Sequence, residues 1–179
     1  MSLLGQPDLT TRSRAIQLLV LDVDGVLTDG SLNMGPHGEV LKLFHVRDGQ
    51  GLKILQSFGI DLAIITARRS EIVAYRAEEL GITRLYQGVK NKRIVYEQLL
   101  QELGLNWSQG AYMGDDYPDL AILKRCGLAL TVPDAPTEIQ AICHWVASVS
   151  GGFGAVREAV DLLVEAKGWG PQLWAQWQD

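Results

Sequence analysis

The sequence predicts an α/β fold: a mostly parallel sheet flanked by helices, with one small β-hairpin insert. Three observations carry this expectation. Leu18–Leu21 is uninterruptedly apolar, as in a strand buried on both faces, and the apolar segments at 60–66 and 128–132 repeat the pattern. Segments with helical spacing of apolar residues separate these strands, at 50–58, 70–80, 92–103, 118–124, 135–142 and 153–167. Polar residues gather just beyond the strands, where an open parallel sheet presents its ligand crevice.

Each element has a local signature. After the first strand, segments 31–34 and 39–46 flank Gly35-Pro36-His37-Gly38, whose Gly and Pro punctuation predicts a hairpin. Ser70 suits a helix N-cap, and Gly81 and Gly104 suit helix stops. Shorter strands are expected at 85–86, 109–116 and 144–147, the last giving His144 the setting of a satisfied strand histidine. Residues 1–15 read as an N-terminal extension, 16–167 as a single domain and 168–179 as a tail holding Trp169, Trp174 and Trp177. Two arrangements would shelter that much aromatic surface: docking on a neighbouring subunit, or packing back on its own domain.

Composition excludes several function classes. With 179 residues, 47% of them hydrophobic, and a formal charge of -5, the chain can bury a core and carries no basic footprint for nucleic acid or anionic membranes. Cys126 and Cys143 form no metal-ligand pattern and are expected reduced. Neither a signal-type leader nor a membrane-spanning apolar stretch is evident, so a cytoplasmic location is expected.

The chemistry lies in polar groups drawn from four separate elements. Asp22 and Asp24 follow the first strand, Thr66 ends the second long strand, Lys92 opens a helix, and Asp115, Asp116 and Asp119 follow another strand. A lone Asp-x-Asp after a strand could equally cap a turn. Several acids converging on one cleft repel one another and call for a cation, and hard oxygen ligands favour Mg²⁺. A carboxylate beside such a cation can attack phosphorus while a second carboxyl group moves the proton.

In this order the motifs resemble those of the haloacid dehalogenase superfamily of aspartate-nucleophile phosphatases. Asp22-Val23-Asp24-Gly25-Val26-Leu27-Thr28 matches the first motif, Ile64-Ile65-Thr66 the second, Lys92 the lysine motif and Gly114-Asp115-Asp116-Tyr117-Pro118-Asp119 the acidic motif. The resemblance implies a Rossmann-like fold and a nucleophile and metal ligand in Asp22. It implies an acid/base in Asp24, which also offers its carbonyl to Mg²⁺, and a further ligand in Asp115. Thr66 and Lys92 would bind phosphate, with Asp116 and Asp119 orienting metal waters and Lys92.

The segments LDVDGVLTDG, FHVRDGQGLKIL, AIITAR, LYQG and GGFGAVRE are similar to those of the 3-deoxy-D-manno-octulosonate 8-phosphate phosphatases, a group without a cap domain. This narrower resemblance implies hydrolysis of that phosphorylated sugar acid in lipopolysaccharide precursor synthesis. It also implies a homotetramer built through the hairpin, with each active site closed by a neighbouring subunit. Substrate contacts carried over by position are His45, Val46, Arg47, Asp48, Gly49, Lys53, Arg68 and Arg76. Two rivals stand beside this reading: a phosphatase for a nine-carbon acid such as 2-keto-3-deoxynononate 9-phosphate, and a non-catalytic binding module on the same fold.

Overall fold

The computed structural model describes residues 7–178. Its elements follow in the order α1 (Pro7–Ala15), β1 (Leu18–Leu21), β2 (Asn33–Gly35), β3 (Gly38–Leu41), α2 (Val46–Ser57), β4 (Asp61–Ile65), α3 (Glu71–Glu79), β5 (Arg84–Tyr86) and α4 (Lys92–Glu102). They continue with β6 (Gly110–Met113), α5 (Leu120–Leu123), β7 (Leu128–Thr131), α6 (Thr137–Ile142), β8 (Trp145–Val146), α7 (Ala155–Lys167) and α8 (Gly170–Ala175). Short 3₁₀ turns at Trp107–Gln109 and Tyr117–Asp119 flank β6. Six strands form one parallel sheet in the order β5-β4-β1-β6-β7-β8, and β2 and β3 form a separate antiparallel hairpin. The expected α/β architecture, with no cap domain, is what the chain adopts.

Register decides where the chemistry falls. Leu21 of β1 pairs with Ile64 of β4 and with Met113 of β6, so Asp22, Thr66 and Asp115 leave the sheet at the same edge. All four residues of β1, and all four of β6, are buried, which is why they run apolar without alternation. Helix α7 packs along α2 and α1 and buries Val156, Val160 and Leu163 completely. Gly51 permits the close α2–α7 approach, since a Cβ there would sit 3.1 Å from the Arg157 side chain.

The largest departures from the expected boundaries lie at α2, at the hairpin and at the N-terminus. Helix α2 starts at Val46 rather than at Gln50, because His45 takes an extended N-cap conformation and Gly49 and Gly51, poor helix formers, are favoured here by packing. The second hairpin strand accordingly ends at Leu41. The N-terminal segment contributes a helix, tied to α7 where Arg14 Nε donates to the Ala166 carbonyl and Lys167 Nζ to the Arg14 carbonyl, both at 2.8 Å.

The tail packs back on its own domain only in part. Trp169 stacks on Phe58 with ring centroids 4.7 Å apart, while Trp174 and Trp177 stay exposed. His144 is satisfied as expected: its Nδ1 accepts the Ala129 N–H at 2.8 Å, standing in for a carbonyl between β7 and β8. Cys126 and Cys143 are both free. No helix among the described residues is long and apolar enough to cross a membrane.

Candidate active site

At the sheet edge a cleft of about 270 Å³ is lined by Asp22, Asp24, Thr66, Arg68, Lys92, Asp115, Asp116 and Asp119. Asp22 Oδ1 accepts the Val23 N–H at 2.7 Å, and its Oδ2 lies 2.7 Å from Lys92 Nζ. Lys92 is the first residue of α4, where a cation opposes the helix dipole, yet it is only 4% exposed. Its compensation is a second carboxylate, Asp119 Oδ1, also at 2.7 Å. Burial alone would lower the Lys92 pKa; Asp22 and Asp119 outweigh it and hold the ammonium above its usual value.

Asp119 is saturated by donors. Lys92 and the Tyr112 hydroxyl (2.6 Å) reach Oδ1, and the Asp115 and Asp116 N–H groups reach Oδ2 at 3.1 and 3.3 Å. Asp116 accepts the Tyr117 N–H and caps the 3₁₀ turn. Thr66 is buried, with Oγ1 accepting the Arg68 N–H at 3.4 Å. Gly25 turns the chain at φ +86°, and a Cβ there would lie 2.1 Å from Asp115 Oδ2, so glycine is required both for the turn and for room beside the acid.

Comparison with known proteins fits this geometry. Residues 39–127 match the family model of the haloacid dehalogenase-like hydrolases. The 3-deoxy-D-manno-octulosonate 8-phosphate phosphatase KdsC of Yersinia pestis is 45% identical over 89% of this chain and 86% of its own length. The chain belongs to the 3-deoxy-D-manno-octulosonate 8-phosphate phosphatase family of haloacid dehalogenase-like hydrolases. Among solved structures, the family phosphatase of Moraxella catarrhalis, in complex with magnesium, phosphate and KDO, superposes with a TM-score of 0.93 at 37% identity, over 97% of this chain and 100% of that one. A probable YrbI family phosphatase from Pseudomonas syringae gives 0.93 at 42% identity, over 96% and 98%.

The residues present fit the family's magnesium. Carboxylate oxygens of Asp22, Asp115 and Asp119 lie within 4.8 Å of one another. Burial, then repulsion from Asp119, raises Asp22 from 3.8 to about 6 despite Lys92, and burial with repulsion from Asp22 and Asp119 raises Asp115 to about 7. Carboxyl groups so perturbed want a cation. Because both pKa values are raised, the stability they contribute is complete below about pH 4 and is lost as pH rises through 6 and 7. Added Mg²⁺ is therefore expected to raise the Tm more at about pH 8 than at about pH 5, read by thermal denaturation with and without the ion. An equal shift at both values would contradict this assignment of the acids.

The remaining family positions are not all gathered in the cleft. Arg68 lines it. His45, Asp48, Gly49 and Arg76 instead line a separate small pocket of about 10 Å³. Asp48 is 1% exposed and accepts the Arg157 N–H at 2.7 Å, capping α7, and Arg76 pairs with Glu79 at 2.7 Å and lies over the Phe44 ring. Val46 and Arg47 are exposed at the start of α2, and Lys53 faces the C-terminal tail beside Trp177.

Three residues that the sequence reading passed over join the site: Tyr112, Glu39 and Lys42. Tyr112 carried a signal, since a phenol in a fully apolar strand needs a buried acceptor. Lys42 reaches Asp24 from the end of the hairpin, and Glu39 reaches Lys42.

Proposed function

We propose that this protein is a Mg²⁺-dependent phosphomonoesterase that hydrolyses 3-deoxy-D-manno-octulosonate 8-phosphate to the free sugar acid and inorganic phosphate. The observation that carries the reading is Asp22 itself, an acid at the end of the central strand, 2.7 Å from a buried ammonium and crowded by Asp115, in a chain 45% identical to a named phosphatase for this substrate.

Asp22 attacks phosphorus through a carboxylate oxygen. The bond from phosphorus to the sugar oxygen breaks as Asp24 gives that oxygen a proton, leaving an aspartyl phosphate. Asp24, now a carboxylate, takes a proton from water; the hydroxide attacks phosphorus and restores Asp22. Lys92 and the Thr66 hydroxyl steady the phosphoryl oxygens, and Tyr112 and Asp119 hold Lys92 in place. Asp22, Asp115 and the main-chain carbonyl of Asp24 are the groups that would hold Mg²⁺. When bound, the ion offsets the charge of the acids and of the transferring phosphoryl group.

The same reading gives the enzyme a place in lipopolysaccharide precursor synthesis in the cytoplasm, as a homotetramer. Met34 and Val40 of the hairpin, and Leu43 just beyond it, are about 60% exposed, too much apolar surface for a strand pair left alone in water. The neutral Ser70 beside Arg68 and Arg69 suits the eight-carbon acid over the nine-carbon one. The decisive measurement is kcat/KM for both sugar-acid phosphates side by side, with the mass in solution read by light scattering. The expected result is a preference for the eight-carbon substrate and a particle near four chains in mass. Preference for the nine-carbon substrate overturns the first part, and a monomer at micromolar concentration the second.

A further inference from the structure

Around the hairpin root the usual distribution of side chains is inverted. Leu41 and Leu43 point to solvent, while Lys42 between them turns inward, its side chain 1% exposed. Burying an ammonium is costly unless it is paired, so the inward turn needs a reason. Lys42 Nζ makes a close ion pair with Asp24 Oδ1 and lies 2.9 Å from Glu39 Oε1. Arg68 closes a ring of alternating charge, with Nη2 3.2 Å from Glu39 Oε1 and Nε 3.4 Å from Asp24 Oδ2. The Ser70 hydroxyl donates to the other Glu39 oxygen, so Glu39 is fixed from both sides. Burial pushes the Glu39 pKa up, but Ser70, Lys42 and Arg68 outweigh it and keep the group below the usual carboxylate range.

The geometry matters because a carboxylate rotates easily about its last torsion, whose energy profile is broad and two-fold. Each Asp24 oxygen here faces its own cation, Lys42 on one and Arg68 on the other, so rotation breaks at least one contact. A group that must deliver a proton to one oxygen of the substrate gains from being held within a fraction of an ångström and a few degrees.

We propose that Lys42, fixed by Glu39, is a positioning residue for Asp24, making the hairpin part of the catalytic apparatus as well as an assembly surface. The proposal rests on the reading of Asp24 as the acid/base, and its test separates the two. With a sugar phosphate the departing oxygen needs a proton; with p-nitrophenyl phosphate the stable phenolate leaves without one. For Lys42→Met, kcat/KM on 3-deoxy-D-manno-octulosonate 8-phosphate is expected to fall about 10- to 100-fold, against less than about 3-fold on p-nitrophenyl phosphate. Lys42→Arg, which keeps a cation, is expected to recover most of the loss. The charge-balanced double variant E39Q/K42M carries the same expectation, so misfolding of the single variant leaves the proposal open to test.

Equal losses on both substrates would mean that Lys42 only supports the fold, and would overturn the proposal. Asp24→Asn is the reference for the underlying reading. If it shows the selectivity for the sugar phosphate and the Lys42 variants do not, the positioning role alone fails. If Asp24→Asn itself loses both substrates equally, the acid/base reading fails and the proposal with it.

Discussion

Asp22→Asn is expected to lower Mg²⁺-dependent phosphate release by at least about 10⁴-fold, the scale on which removing a nucleophile acts. The substitution keeps size and shape: an amide oxygen in place of Oδ1 still accepts the Val23 N–H, and Lys92 retains Asp119. It also removes a burdened charge. Asp22 is raised to about 6 by burial and by Asp119, so in the wild-type protein its ionisation above that pH is unfavourable for the fold. The metal-free variant should therefore melt at a higher temperature than wild type at about pH 8, and much less so at about pH 5. Loss of activity with gain of stability is a combination that a merely structural acid would not give. Phosphate release and thermal denaturation of the two proteins, measured together, decide it; equal phosphate release from both removes Asp22 from the nucleophile's role.

That contrast also shows what could be read from the chain alone. The central strand was legible because Leu18–Leu21, buried on both faces, has no alternation to confuse its period. Asp22, Thr66, Lys92 and Asp115 were legible because parallel register turns strand ends and a helix start into neighbours. Helix α1 was not, since PDLTTRSRA is polar through most of its length and holds its place by backbone-directed contacts from Arg14 and Lys167. The Asp24–Lys42–Glu39 cluster was not either: it joins Asp24 to a lysine 18 residues on, past the hairpin, and a lysine between two leucines reads as an outward-facing strand residue. Asp48 and Arg76 illustrate a different limit. Their positions in the sequence match a family pattern, but within one chain their contacts are to α7 and to Glu79.

Lys92→Met tests the same cluster from the cationic side and is expected to have the larger effect on stability. Lys92 is the only cation that contacts both Asp22 and Asp119 among the described residues, and all three are buried. Removing one partner from such a set leaves uncompensated charge in the interior, a loss of about 3–5 kcal/mol at about pH 8. The sign with pH follows from Asp22 and Asp115, which Lys92 holds down: without the ammonium their raised pKa values rise further, so acidification neutralises them and the deficit should shrink towards about pH 5. Relief from the helix dipole at the start of α4 offsets only a small part, about 0.3–1 kcal/mol. Added Mg²⁺ is expected to recover some stability by neutralising Asp22 and Asp115, but not the activity, which should stay down by about 10²–10³-fold for want of a charge beside the phosphoryl oxygens. Urea denaturation at the two pH values, with and without the ion, alongside kcat, measures each part. Stability equal to wild type at about pH 8 without Mg²⁺ would mean that Lys92 does not offset the charge crowded around Asp22, and the partition of charge argued for this cleft would have to be redrawn.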